Sequence, residues 1–294
     1  MREIKKVRIF LIFQQSPGMV VFPKAKINIG LRIMEKRPDG YHNIETFFYP
    51  VDLADALEFV VRKESRRGDT LKVTGVMEES DPDNNLVMKA VKVMRQSFDF
   101  PGIRIHLHKN IPVGAGLGGG SSDAAWMIKA LNKYFGFGLN SEELRSIAGR
   151  IGSDAPFFID GTPSFAEGVG NILSEFPLDL SRYHIVILYP DTNISTAEAY
   201  AGCVPCTTGL SLRQLLNLPV SEWRGRVIND FELNIFRSYP QVGRIKMALY
   251  EAGALYASMS GSGSAVYGIF EEDPVLPPEL ARYRLNTGDM LQTS

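Results

Sequence analysis

Two α+β domains are predicted for this chain, and three observations predict them. Strand-like and helix-like segments follow one another without the regular β-α-β rhythm of a doubly wound sheet. At 294 residues the chain is long enough for two domains of ordinary size. Pro177–Ser181 separates two strand-like segments and reads as the junction. The expected domains are residues 19–180 and 181–294, with residues 1–18 an N-terminal extension.

The elements follow in order from patterning. Val20–Glu35 alternates and is rich in Val and Ile, so a strand is expected, closed by the turn Arg37-Pro-Asp-Gly40. Ala56–Arg62 and Thr70–Val76 are two more strands, either side of the charged turn Lys63–Asp69. Asp81-Pro-Asp-Asn-Asn85 supplies a cap for a helix in which Leu86, Ala90, Val93 and Met94 recur at helical spacing. Ile103–His108 is a strand that runs into a glycine loop. The stripe Ala124, Met127, Ile128, Leu131, Tyr134 and Phe135 makes Ser122–Phe135 a helix, ended by Gly136. Asn140 with Glu143 is a capping box that opens the next helix. Phe165–Leu173 and His184–Tyr189 are expected strands, and Leu210–Leu216 and Val242–Glu251 expected helices. Leu255–Ser258 and Ala265–Phe270 flank a Gly/Ser loop as a hairpin-like pair.

Composition narrows the function classes. With 45% hydrophobic and 22% charged residues the chain is an ordinary globular protein, and its net charge of −1 offers no general attraction for nucleic acid or anionic lipid. Any phosphate site must therefore be built locally. Met1–Arg8 is basic and Ile9–Phe13 apolar, but that run is too short for a secretion signal, and nothing approaches the ~20 apolar residues of a membrane span. Met19 is a candidate start, and a cytoplasmic location is expected. Cys203 and Cys206 form a C-x-x-C pair, which offers a redox couple or half a zinc site, yet no second ligand pair sits at finger-like spacing. His106 and His108 share a strand face, and two ligands do not make a metal site.

The strongest chemical signal is Pro112-Val113-Gly114-Ala115-Gly116-Leu117-Gly118-Gly119-Gly120-Ser121-Ser122, placed directly before a helix. Phosphate binding needs close backbone approach and several N–H donors; glycines permit the first and a helix N-terminus supplies the second. Gly114-Ala-Gly-Leu-Gly-Gly119 also satisfies the dinucleotide pattern G-x-G-x-x-G. The acidic residue that pattern requires should end a following strand, whereas Glu142 and Glu143 begin a helix. Neither the P-loop G-x-x-x-x-G-K-[ST] nor the protein-kinase motifs occur. A nucleotide site of another design is implied.

This segment resembles the second motif of the GHMP kinases, the family of galactokinase, homoserine kinase and mevalonate kinase. Ala25-Lys-Ile-Asn28 resembles their first motif and Met259-Ser-Gly-Ser-Gly-Ser-Ala265 their third. Arg37-x-Asp-Gly-Tyr-His42, Asp83-Asn-Asn-Leu86, Ile151-Gly-Ser-Asp-Ala-Pro-Phe157, Phe165-Ala-Glu-Gly-Val-Gly170 and Asn229-Asp-Phe-Glu232 resemble one branch, whose acceptor is a cytidylated methylerythritol of the non-mevalonate isoprenoid route. The resemblance implies an N-terminal ATP-binding domain, a ferredoxin-like C-terminal domain and an active site in the cleft between them. It also implies ATP as phosphate donor, with Mg2+, and transfer to the 2-hydroxyl of the acceptor.

Residue by residue, Asp154 matches the catalytic aspartate that accepts the hydroxyl proton, although a Ser or Asp ahead of Pro156 often only caps a turn. Lys26 matches the lysine that steadies charge, and Asn28 should share its strand face. Lys24 has the same parity and is a rival to Lys26. Tyr41, His42 and Tyr200 match positions around the cytosine, with two aromatic faces available to sandwich it. Asn85, Leu86 and Lys109 match the adenosine side, and Gly261, Ser262 and Gly263 the third glycine motif, where a plain hairpin turn is the alternative. The residues that hold magnesium are not given by the resemblance, and Asp123 is read as an acid favoured by a helix N-terminus. The competing readings are another small-molecule kinase of the family and a non-catalytic nucleotide-binding protein on the same fold.

Overall fold

A computed structural model describes residues 18–62, 68–76, 84–205 and 209–286. The first half contains β1 (Gly18–Val21), β2 (Lys24–Lys36), β3 (His42–Ala54), β4 (Ala56–Val61), β5 (Thr70–Gly75), α1 (Leu86–Arg95) and β6 (Ile103–Lys109). Next come α2 (Gly119–Phe135), α3 (Ser141–Gly149), α4 (Phe157–Asp160), β7 (Ser164–Glu167) and β8 (Ile172–Glu175). The last third holds β9 (His184–Leu188), α5 (Thr196–Tyr200), α6 (Leu212–Leu216), α7 (Glu232–Ser238), α8 (Pro240–Glu251), β10 (Tyr256–Met259), β11 (Val266–Phe270) and α9 (Pro278–Ala281).

Three sheets result, ordered β1-β4-β6-β5, β2-β3-β7-β8 and β10-β11-β9. Pairing is antiparallel except for β5 with β6, which α1 connects, so one β-α-β unit sits inside an otherwise antiparallel scaffold. The third sheet keeps the ferredoxin-like strand order, with its fourth strand reduced to a single bridge between Leu188 and Arg284.

The apolar faces decide how these layers stack. α1 and α2 cover the first sheet, burying Met94, Met127, Ile128 and Leu131 against Phe59, Ile105 and Leu107. Each such side chain contributes roughly 1.5–3 kcal/mol when fully buried. Ile27, Ile29 and Phe47 of the second sheet meet Tyr267 and Ile269 of the third across a shared core with α6 and Trp223. α8 closes the other face of the third sheet through Val242, Ile245 and Leu249. The loops between β2, α2 and β10 are thereby brought to one rim.

Several expectations need correction. The strand expected over Val20–Glu35 is two strands, β1 and β2, and that expected over Phe165–Leu173 is the hairpin of β7 and β8. β3 was not anticipated, nor were the short helices α4, α5 and α7. Gly18, assigned to the extension, opens β1, while residues 1–17 and Cys206 lie outside the described residues. Cys203 Sγ donates to the Ala199 carbonyl at 3.1 Å. Thr74 Oγ1 lies 2.9 Å from His106 Nε2 and 3.0 Å from His108 Nδ1, so both rings are engaged within the sheet. Among the described residues no group of three or more His, Cys, Asp or Glu is placed to hold a metal ion, and no helix is long and apolar enough to cross a membrane.

Candidate active site

Lys26 and Asn28 project from the same face of β2 into a cleft of about 520 Å³. Lys26 Nζ donates to Asn28 Oδ1 at 2.5 Å and to the Gly116 carbonyl at 3.2 Å, and lies 5.0 Å from the centroid of the Phe48 ring. Burial drives its pKa below the usual lysine value, and the nearby Asp154 carboxylate opposes that shift. Lys24 points elsewhere: its side chain is 54% exposed and pairs with Asp52.

The three motif segments meet at Gly116. Its carbonyl accepts from Lys26 Nζ and from Ser260 Oγ, 2.9 Å away, while Ser260 Oγ in turn accepts from the Asn28 N–H at 3.2 Å. Asn28 is fixed further by donation to Thr46 Oγ1 (3.0 Å) and by the Tyr267 hydroxyl, which donates to its carbonyl (2.8 Å). The Ala265 N–H donates to the Ala115 carbonyl at 3.1 Å, joining the second and third loops. Gly116 has φ +78°, and a Cβ there would stand 1.9 Å from the Ser260 carbonyl oxygen. Gly116→Ala is therefore expected to part the two loops and lower kcat/KM by about 10²-fold or more while the scaffold still folds; steady-state kinetics beside circular dichroism tests this, and near-normal turnover would refute the close approach.

α2 begins at Gly119, three residues earlier than its apolar stripe predicts, because the glycines run into the first helical turn. The cap residue Gly118 is left-handed (φ +71°) and makes no side-chain cap bond, so the first N–H groups of the helix face the cleft without a competing acceptor from the cap. Pro112, Val113, Gly114, Ala115, Gly116, Gly118, Gly119, Gly120 and Ser121 all line it, with Leu86 beside them.

Asp154 sits opposite, in the turn between α3 and α4. Its Oδ2 is 3.5 Å from Lys26 Nζ and its side chain is 32% exposed. It does not cap α4, whose N-cap is Pro156 with no side-chain bond. The ion pair is longer than a charge-assisted hydrogen bond of about 2.7–2.9 Å, so the carboxylate keeps capacity to accept a proton from a ligand in the cleft.

The far end of the cleft is aromatic. His42 stacks on Tyr200 with ring centroids 4.6 Å apart, and Phe231 meets Tyr200 edge-on at 4.8 Å. Burial first, and Asp154 second, push the Tyr200 hydroxyl up to about 12, so it stays protonated and available as a donor. Tyr41 does not join this group: 66% exposed on the turn before β3, it borders a neighbouring hollow with Ser153 and Val169. Of the three residues expected around the base, the structure brings His42 and Tyr200 together and leaves Tyr41 apart.

Other expected residues lie behind the cleft rather than in it. Lys109 is 4% exposed, pairs with Asp55 and lies 2.7 Å from Asp123, with burial and then the two carboxylates setting its pKa, which ends above the usual value. Asp123 is five residues into α2, not at its start, and is engaged by Lys109 instead of the helix terminus. Asn85 caps α1, accepting from the Val87 N–H at 2.8 Å. Leu117 is buried, with its carbonyl accepting from the Lys26 N–H, and Ser122 Oγ donates to the Lys24 carbonyl. Gly261 and Ser262 line the cleft, whereas Gly263 packs on Met259. Sequence reasoning gave no role to Thr46, Asp55, Ser260 or Phe231; of these, Ser260 and Phe231 lay within recognised motifs.

The chain matches the family models for the GHMP kinases N-terminal domain over residues 85–162 and the GHMP kinases C-terminal domain over residues 213–280. It is 51% identical over 259 residues to 4-diphosphocytidyl-2-C-methyl-D-erythritol kinase of Bacteroides thetaiotaomicron, covering 88% of this chain and 94% of that one. The protein of the same name from Porphyromonas gingivalis is 47% identical over 260 residues, with coverage of 88% and 94%. A crystal structure of 4-(cytidine 5'-diphospho)-2C-methyl-D-erythritol kinase superposes with a TM-score of 0.72 at 31% identity, covering 90% of this chain and 92% of that one. A homoserine kinase from Cytophaga hutchinsonii, at 18% identity and TM-score 0.60, over 93% and 90% of the two chains, shares the fold. The two glycine loops, the buried lysine and the aspartate that faces it thus belong to a recognisable enzyme, and the chain is a member of the GHMP kinases, in the 4-diphosphocytidyl-2-C-methyl-D-erythritol kinase family.

Proposed function

We propose that this chain transfers the γ-phosphoryl group of ATP to the 2-hydroxyl of 4-diphosphocytidyl-2-C-methyl-D-erythritol. The observation that carries the reading is the Lys26–Asp154 pair, which faces the N-terminus of α2 across one cleft. The acceptor oxygen attacks γ-phosphorus, its proton passes to Asp154, the bond from γ-phosphorus to the bridging oxygen breaks and ADP leaves. Lys26 stabilises the charge that develops, from a site where desolvation strengthens its field. The amides of Gly119–Ser121 and the Gly114–Gly116 backbone receive the phosphates, with Leu86 toward the adenosine. Cytosine is held at the His42–Tyr200 end, where stacking is worth about 1–3 kcal/mol per base.

Magnesium fits as a companion of ATP rather than as a caged ion. Asp154 is the carboxylate that lines the cleft, with the Ser121 and Ser153 residues nearby, and a magnesium ion needs few protein ligands when phosphates supply the rest. When bound it neutralises charge on the β- and γ-phosphates. The domains divide between residues 180 and 181, in the connection from β8 to β9, and the protein works in the cytoplasm.

The test is ADP release from Mg-ATP with the cytidylated substrate, beside mevalonate, homoserine and galactose. Turnover with the cytidylated compound alone is expected. Faster turnover of another acceptor would overturn the substrate assignment, and ATP binding without any turnover would favour a non-catalytic role.

A further inference from the structure

Asn229-Asp230-Phe231-Glu232 leads into α7, and its four residues together reach β2, the end of β10, the third glycine loop and the aromatic end of the cleft. Asn229 is 2% exposed; its Nδ2 donates to the carbonyls of Met259 (2.9 Å) and Gly261 (2.8 Å), while its Oδ1 accepts from the Phe231 N–H (3.0 Å). Asp230 takes hold of β2: Oδ2 accepts from the Ile33 N–H at 2.7 Å, and its own N–H donates to the Leu31 carbonyl at 2.8 Å. Glu232 secures the end of β10, where Oε1 accepts from the Met259 N–H (2.8 Å) and Ser258 Oγ (3.1 Å), and Oε2 accepts from Lys246 Nζ (2.6 Å). Phe231 lines the cleft and braces Tyr200.

We propose that this tetrad is a positioning clamp, and that Asn229 is its key residue, setting the third glycine loop against the Lys26–Asn28 pair. The loop has little other freedom: a Cβ on Gly261 would stand 3.1 Å from Asn28 Oδ1 and 3.2 Å from the Gly116 carbonyl oxygen. Asn229 thus fixes from behind the backbone on which the catalytic end of β2 rests. Deleting its amide leaves the Gly261 carbonyl without that donor and the Met259 carbonyl with the longer bond from Ser258 Oγ, 3.3 Å away, and the loop relaxes to recover what is lost. A displacement on the order of 1 Å at a reacting centre costs about 10²-fold in rate. The same four residues touch the aromatic end through Phe231, so the clamp ties the base-holding and phosphoryl-holding ends to one strand. None of its members touches the reacting atoms, so the role is positioning and not catalysis.

The inference rests on the phosphoryl-transfer reading for its kinetic arm only. For Asn229→Ala in the full chain, hydrogen exchange at the amides of Ser260, Gly263 and Ala265 is expected to quicken at least about tenfold, with β9 amides unchanged. With saturating substrates kcat is expected to fall by roughly 10- to 100-fold while the ATP dissociation constant stays within about threefold. Combined with Asp154→Asn the losses should be less than multiplicative, because both act on one event. Unchanged exchange overturns the clamp whatever the substrate; faster exchange with kcat within about twofold of the parent overturns its role in positioning. Should Asn229→Ala fail to fold, Glu232→Gln, which keeps shape and volume, is held to the same two criteria. Absence of turnover in the parent chain would count against the proposed reaction, and the exchange result would still decide the clamp.

Discussion

Asp154→Asn is expected to lower kcat by about 10²–10⁴-fold, the usual worth of a positioned general base, while binding of ATP measured without magnesium changes by less than about threefold. The amide has the size of the carboxylate and lies in the same turn, so the fold and the glycine loop are undisturbed. What disappears is the proton acceptor 3.5 Å from Lys26 Nζ. The pH profile gives a second reading of the same contact. Lys26 works protonated, and burial already lowers its pKa from the usual lysine value against the opposing pull of Asp154. As pH rises the parent enzyme therefore loses activity earlier than an ordinary lysine near 10.4 would dictate. Without the Asp154 charge only the burial penalty remains, so the alkaline limb of the residual activity moves to still lower pH. A loss below tenfold with an unmoved alkaline limb would show that the hydroxyl proton travels directly to phosphate and that Asp154 serves another purpose.

The parts of this site that were legible in the sequence are those written in local pattern. The glycine run, the Lys26/Asn28 alternation and the Asn140/Glu143 capping box each lie within a few residues, and each appears in the structure as expected. β3, which was not anticipated, has Pro50 inside it, and proline argues against a strand interior. The structure shows why it is tolerated: β7 pairs only with Thr46–Phe48, so at Pro50 only β2 runs alongside and no second ladder needs the missing N–H. The Val20–Glu35 segment was read as one loosely alternating strand, and Gly30, at φ +66°, sits in a register shift between Ile29 and Leu31 that redirects the chain. Contacts between distant segments left no local trace. Lys109 was placed on the adenosine side by the family match, and its partners in the structure are Asp55, far upstream, and Asp123, on the next helix. The same holds for Asn229, whose meaning lies 30 and 32 residues away at Met259 and Gly261.

Removing that buried lysine should have the largest effect on stability. Lys109→Met leaves Asp55 and Asp123, 0% and 3% exposed in their side chains, facing one another without a cation. Breaking a buried pair in this way costs about 3–5 kcal/mol, because the uncompensated charge stays in a low dielectric. The cost should depend on pH with a definite sign. Burial already raises the Asp123 pKa well above the ordinary value, and Lys109 is the largest influence opposing that rise. In the variant the folded state therefore holds the proton to still higher pH, while the unfolded chain releases it near 3.9. Stability is then retained below that value and lost as pH climbs toward the raised folded pKa, so the variant falls further behind the parent at pH 7.5 than at pH 5. Urea unfolding at the two pH values, with an unchanged m-value, measures this. Adding Asp123→Asn should restore most of the loss, since Asp55 alone can still accept from the N–H groups of Asn110 (2.6 Å) and Ile111 (2.8 Å) that begin the glycine loop. Because those two bonds fix where the loop starts, a folded Lys109→Met protein should also bind ATP more weakly, and the double variant should recover affinity together with stability. A loss under about 1 kcal/mol that does not vary with pH would mean that the two carboxylates share a proton in the parent and that Lys109 neutralises only one charge.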